Sequence, residues 1–274
     1  MQSQIAVGDL TVNRLGFGAM RVCGPNIWGP PKDRAAAHRV LRRAIELGMN
    51  FFDTADSYGP HVDEELIAEA LHPYPKDLVI ATKGGLLRPR PGAWDPDGRP
   101  EHLKRALDGS LKRLKLERID LYQLHAPDAR VPFADSVGVL ADAQKAGKIR
   151  HIGVSNVSVQ QLEEARRICA IVSVQNKYNL GDRSSEAVLK SCERLGIAFL
   201  PWYPLGAGEV LRQDKVKKIA RRLKATSAQV ALAWLLAKSP VMLPIPGTAD
   251  LRHLEQNAGT AQLTLLPEDL KQLN

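Results

Sequence analysis

The sequence predicts an α/β fold arranged as a (β/α)8 TIM barrel, and three observations lead there. Short β-branched or aliphatic runs alternate with helix-period segments from one end of the chain to the other. Eight such runs can be counted, and the connections between elements are too short to hold a linker. The length of 274 residues lies within the usual range for one barrel. Residues 1–274 are therefore expected to form a single barrel domain.

The first element precedes the barrel. Residues 4–12 alternate apolar positions about a Gly8-Asp9 turn, the pattern of a β-hairpin, and a hairpin placed there would close the barrel's bottom. Strands are then expected over residues 14–17, 50–53, 78–82, 119–124, 149–154, 171–175, 198–201 and 242–245. Between the first two, Asp33 can cap a helix in which Ala36, Val40, Ala44 and Leu47 share one face, and Gly48 ends it. The same logic places helices near residues 63–71, 100–114, 132–146, 158–169, 184–195 and 227–238.

Composition narrows the function classes. Hydrophobic residues make up 44% and charged residues 25%, ordinary globular usage. No apolar run approaches the roughly 20 residues that cross a bilayer, so no membrane partner is expected. The segment Met1 to Asp9 has no basic stretch followed by an apolar core, which makes the cytoplasm the expected compartment. Cys23, Cys169 and Cys192 are far apart and lack CxxC spacing, so neither a disulfide framework nor a metal site is expected. The net charge of +8 is spread over amphipathic segments such as Arg39, Arg42 and Arg43 or Lys104, Arg105, Lys112 and Arg113. Without a basic-aromatic signature, a phosphate-bearing cofactor is a simpler use for that charge than nucleic acid. Nothing in the sequence sets an oligomeric state.

In a parallel barrel every βα loop opens at the C-terminal strand ends, so chemistry is expected there. The second strand ends at Asp53 and is followed by Thr54-Ala55-Asp56-Ser57-Tyr58-Gly59, the third runs into Lys83, and the fourth ends just before His125. Each residue alone has an ordinary structural reading: a turn cap, a half-buried aromatic, a solvated lysine, a satisfied core histidine. Together they bring four titratable groups to one place.

With these residues in place, the chain resembles the aldo-keto reductases, and Asp53, Tyr58, Lys83 and His125 fall where that family's catalytic tetrad falls. The resemblance runs through Leu15 to Met20, Asn50 to Gly59, Ile152 to Asn156, Val174 to Asn179, Trp202 to Gly206 and Ile245 to Thr248. It implies reduction of a small-molecule carbonyl substrate, in which Tyr58 supplies the proton and His125 orients the carbonyl by a hydrogen bond. Lys83, held by Asp53, is expected to favour the ionised phenol. Segments near Val12 to Gly16, Gly29 to Arg34 and Ala70 to Tyr74 are similar to bacterial members that act on pyridoxal.

The resemblance further implies NADP(H). Ser155, Asn156 and Gln175 match residues that hold the carboxamide, Trp202 the aromatic that stacks on the ring, and Gly18, Met20 and Asp53 line the same mouth. Pro204, Leu205 and Gly206, with Pro246, Gly247 and Thr248, match the segments that hold the phosphates, and His253, Gln256 and Asn257 complete the set. Two positions depart from the pattern, since many NADPH-preferring members carry Arg in place of His253 and Glu in place of Gln256. Gly16-Phe17-Gly18-Ala19-Met20-Arg21 lacks the last glycine of a Rossmann fingerprint, and no Walker motif or metal-ligand set appears. Met20, Trp28, Tyr58 and Trp94 are expected to line an apolar substrate pocket, opened at one corner by Ala126, where many members place a bulky aromatic. The competing reading within the same fold is a nucleotide-holding redox sensor that binds a partner and turns over little; the lack of a long extension before the hairpin weighs against it.

Overall fold

The computed structural model describes residues 3–274. Strands β1 (Gln4–Val7) and β2 (Leu10–Asn13) pair antiparallel, with Val7 opposite Leu10. Gly8 takes φ +65° in their turn, a left-handed conformation that a residue with a Cβ adopts only with strain. The barrel strands follow: β3 (Phe17–Gly18), β4 (Phe51–Asp53), β5 (Val79–Gly84), then, after the small hairpin β6 (Leu86–Leu87) and β7 (Asp95–Pro96), β8 (Ile119–Leu124), β9 (Ile149–Ser155), β10 (Ile171–Lys177) and β11 (Ala198–Trp202). They form one parallel seven-stranded sheet in the order β3-β4-β5-β8-β9-β10-β11.

The eighth expected strand, 242–245, is not a regular strand. The chain there still closes the barrel: the Phe199 amide donates to Val241 O and Leu243 N to Phe199 O on the β11 side, and Gly16 N donates to Pro244 O and Gly18 N to Pro246 O on the β3 side. Only Met242 forms a bridge, to Phe199. Pro244 and Pro246 have no N–H to give, so this segment accepts from one neighbour where a strand would both give and accept.

Helices α1 (Arg34–Glu46), α2 (Val62–Leu71), α3 (Pro100–Leu114), α4 (Phe133–Lys145), α5 (Val159–Ile168) and α6 (Glu186–Leu195) each return the chain to the next strand. Asp33 caps α1 by accepting from Ala36 N at 2.8 Å, and Ser158 and Gln161 form a capping box on α5. After β11 come α7 (Asp214–Leu223), α8 (Ser227–Lys238), α9 (Leu251–Ala258) and α10 (Pro267–Leu273). Helix α7 was not expected from the sequence: its apolar stripe is Val216, Ile219, Ala220 and Leu223, set among five basic residues.

Two large apolar regions result, with a third, small cluster of Cys23, Ile27, Ala55 and Tyr58. One lies between the strands and the helices, and includes Leu41, Leu66, Ile80, Tyr122, Val154, Phe199 and Trp234. The other fills the lower barrel interior, where Val7, Leu10 and Val12 of the hairpin meet Phe51, Val79, Leu121, Ala198 and Leu243 near the strand starts. The hairpin thus plugs the bottom, and the opposite end is left for polar side chains. No helix among the described residues is long and apolar enough to cross a membrane.

Candidate active site

Strand alternation decides which side chains enter the upper interior. Asp53 ends β4, Lys83 lies near the end of β5, and on β8 Gln123 points the same way as His125, two residues on. Tyr58 is delivered by a turn rather than a strand, fixed by Thr54 N donating to Ala81 O, Asp56 N to Lys83 O and Tyr58 N to Ala55 O. The four groups expected together do meet. Lys83 Nζ donates to Asp53 Oδ2 at 2.7 Å, to Thr54 O at 2.7 Å and to Tyr58 Oη at 3.4 Å. The Tyr58 and His125 rings stand edge to face at 5.8 Å.

The Lys83 side chain is fully buried and Asp53 nearly so, at 0% and 3% exposure. Such a pair holds only if the remaining lone pairs are satisfied. Asp53 Oδ1 accepts from Gln175 Nε2 at 2.8 Å and from Gln123 Nε2 at 3.3 Å. Gln123 was missed in the sequence, although its spacing from His125 was a usable signal. Behind this layer, Thr54 Oγ1 donates to Asp63 Oδ2 at 2.7 Å, and Glu64 accepts from Thr82 Oγ1 at 2.6 Å and Arg113 Nε at 2.7 Å. Burial raises the Asp63 carboxyl to about 7.

Burial, reinforced by the Asp53 and Asp63 carboxylates, pushes the Tyr58 phenol well above its ordinary value. Lys83, 3.4 Å away and itself paired with Asp53, does not outweigh the removal of the phenol from water, so the net shift toward ionisation expected from the sequence is not found. The phenol is protonated. His125 is held well below its ordinary value, first by burial and then by the Lys83 charge, so its ring is neutral. Ser57 Oγ lies 3.3 Å from His125 Nδ1.

These groups stand at the inner end of a cleft of about 460 Å³. Of the residues expected to hold a cofactor, Gly18, Met20, Asp53, Ser155, Asn156, Gln175, Trp202, Pro204, Leu205, Pro246 and Gly247 line it; of the substrate candidates, Met20, Tyr58, Trp94 and Ala126 do. Arg21, Leu86 and Ala207 also line it and had no motif to mark them, as do Tyr203 and Ile245, which lie in segments that carry the resemblance but were not singled out. Trp28 does not line the cleft; it packs by Arg88, whose guanidinium carbon is 5.6 Å from its ring centroid. Gly206, Thr248, His253, Gln256 and Asn257 likewise stand outside the lining. Asn156, at φ +59°, turns its amide inward, donating to His125 O at 3.0 Å and accepting from Trp202 Nε1 at 2.9 Å.

The outer end suits an anion in one respect and resists it in another. Among the described residues the amides of Gly247, Thr248 and Ala249 donate to no protein group, and Arg21 faces the same cleft. The first amides of α9 are taken, however, since Asp250 accepts from Arg252 N at 2.8 Å and His253 N at 3.3 Å. A capping carboxylate thus occupies the helix terminus where the sequence suggested a phosphate contact.

A model of the Aldo/keto reductase family matches residues 14–274. The chain is 48% identical over 271 residues to an uncharacterized oxidoreductase of Schizosaccharomyces pombe, covering 98% of this chain and 88% of that one. It is 43% identical over 275 residues to pyridoxine 4-dehydrogenase of Escherichia coli, covering 98% and 96%. Among solved structures, an aldo-keto reductase from Klebsiella pneumoniae in complex with NADPH superposes with a TM-score of 0.84 at 25% identity, over 100% of this chain and 94% of that one. From its barrel and its sequence alike, this chain belongs to the aldo/keto reductase family.

Proposed function

We propose that the protein is an NADP(H)-dependent carbonyl reductase that converts an aldehyde or ketone to its alcohol, with Tyr58 as general acid and ring-borne aldehydes of the pyridoxal type within its range. The observation that carries this reading is the contact of a protonated, buried Tyr58 with the Lys83–Asp53 pair at the inner end of an open cleft. The similar Klebsiella pneumoniae structure holds NADPH, and the Escherichia coli relative is a pyridoxine 4-dehydrogenase. The residues fit such a cofactor: Ser155, Asn156 and Gln175 offer amide and hydroxyl groups at the inner end, and the unpaired backbone amides of 247–249 with Arg21 would meet phosphate at the outer end.

A nicotinamide held there would supply the hydride. The protein's part is to hold the carbonyl and deliver a proton as negative charge develops on its oxygen. Tyr58 Oη carries that proton. The Lys83 ammonium, 3.4 Å away, stabilises the phenolate left behind, and Asp53 keeps the ammonium in place. Ser57 Oγ lies beside Nδ1, and in the tautomer with its proton on Nε2 neutral His125 would present that N–H to the carbonyl oxygen. Trp94 and Met20 form apolar walls that exclude water from the reacting atoms.

Purified protein, assayed for loss of NADPH absorbance with a panel of aldehydes and ketones including pyridoxal, tests this directly. Turnover that saturates with both substrates is expected. Tight NADPH binding with no turnover of any carbonyl would overturn the reading in favour of a redox sensor.

A further inference from the structure

Arg88 is a buried guanidinium that the chemistry above does not use. It follows β6, in the loop that connects Leu86–Leu87 to Asp95–Pro96, and is 8% exposed. No carboxylate pairs with it among the described residues. Its partners are main-chain carbonyls from two other loops: Nη1 donates to Ile27 O at 3.0 Å and to Ser57 O at 3.5 Å, and Nη2 to Asn26 O at 3.2 Å. Its Nε is buried with no acceptor, so the position costs stability.

What this placement achieves is geometric. The guanidinium carbon lies over the Trp94 ring, 3.7 Å from its centroid, and over the Trp28 ring at 5.6 Å. Trp94 in turn stands edge-on to Tyr58, their ring centroids 6.3 Å apart at 82°. Two of the carbonyls that Arg88 grips belong to a turn in which Asn26 and Ile27 take φ of +58° and +59°. A left-handed β-branched residue persists only where its surroundings hold it. The same Ile27 carbonyl also accepts from Gly59 N, adjacent to Tyr58. One side chain therefore joins the Asn26–Ile27 turn, the Tyr58 turn and the Trp94 wall.

We propose that Arg88 is a positioning residue that sets substrate specificity: by stacking on Trp94 and clamping the Asn26–Ile27 turn it holds a flat aromatic wall beside Tyr58 that favours carbonyl groups borne on a planar ring. This rests on the carbonyl-reductase reading. The planar fork matters as well as the charge, because it reaches carbonyls of two loops through separate nitrogens while its flat face covers the indole, a combination that a single ammonium nitrogen does not reproduce.

The test compares a planar and a flexible substrate, benzaldehyde and butanal, at saturating NADPH. Arg88→Met and Arg88→Lys should each raise KM for benzaldehyde roughly tenfold, the scale of one lost aromatic contact, and move KM for butanal by less than about twofold. Added to Trp94→Ala, Arg88→Met should raise the benzaldehyde KM little further, because it acts through that ring. Equal shifts for the two aldehydes, wild-type behaviour of Arg88→Lys, or independent effects in the double variant would overturn the proposal. Equilibrium dialysis of benzaldehyde against the NADP+ complex should repeat the pattern without turnover. A wild-type protein that binds benzaldehyde in an Arg88-dependent way but reduces no aldehyde would sink the reductase reading and leave the role of Arg88 standing; binding indifferent to Arg88 would remove that role.

Discussion

At the lower end of the barrel Val7, Leu10 and Val12 fill the interior with aliphatic carbon, whereas at the upper end the same interior holds Asp53, Lys83, Gln123 and Gln175. Both ends are buried, but their energetics differ in kind. Apolar filling is non-directional and loses stability in proportion to what is removed. The polar end is a closed set, in which Lys83 satisfies Asp53, the two glutamines satisfy its other oxygen, and removing one member strands the rest. The lower end should therefore affect stability and spare chemistry, and the upper end should affect chemistry at a stability cost that depends on charge.

The largest effect tests that division at its centre. Tyr58→Phe removes one oxygen and leaves every Asp53 and Lys83 hydrogen bond except the longest, so kcat for aldehyde reduction should fall about 10²–10⁴-fold while Tm and NADPH affinity hold. Near-normal kcat, with product release shown not to limit turnover, would break the comparison. Lys83→Met should lose as much activity but also destabilise the fold by about 3–5 kcal/mol, because Asp53 is left charged and unpaired. Activity losses in the double variant should fall far short of multiplying.

Val12→Ala, at the lower end, is the counterpart. Two methyl groups and the cavity they leave are worth roughly 2 kcal/mol, or about 5 °C in Tm. Aldehyde reduction at 25 °C should stay within about twofold of wild type; a larger loss would mean that the plug communicates with the site.

A smaller effect sharpens the picture of the polar layer behind the tetrad. The Asp63 carboxyl, at about 7 when folded against an ordinary 3.8, keeps its proton in the native state where the unfolded chain has released it. The folded state then binds more protons across that window, so stability falls as pH rises from the ordinary carboxylate range to about 7. Asp63→Asn keeps an acceptor for Thr54 and should flatten the decline in Tm. An unchanged slope would mean that another group titrates there.

The smallest effect lies at the mouth's outer end. Asp250→Asn retains a helix cap but removes a negative charge from the α9 terminus, and should tighten NADPH about two- to fivefold with little effect on NADH. His253→Arg should act in the same direction by adding a fork for phosphate. Equal changes for both nucleotides would show that neither residue faces the distinguishing phosphate.

By itself the sequence determined the alternation of strand and helix, six of the eight barrel strands to within two residues and the first only at Phe17, the plugging hairpin, and the placing of three titratable residues at strand ends with Tyr58 in the turn beyond one of them, because periodicity and capping are local and strand ends in a parallel barrel share one face. Helix α7 was hidden by a composition in which four apolar positions are outnumbered by six charged ones. The irregular closing segment was legible only in part: Pro244 and Pro246 announce missing donors, but that their carbonyls would still meet Gly16 and Gly18 depends on how the sheet curls. The state of the Tyr58 phenol went the same way, since Lys83 is visible in sequence and the burial that outweighs it is not. Arg88 drew no notice in the sequence, because its partners are three main-chain carbonyls and two indoles that bear no motif. Tertiary structure alone decided these matters, since each depends on burial and on contacts between residues distant in the chain, and neither leaves a period or a spacing in the sequence.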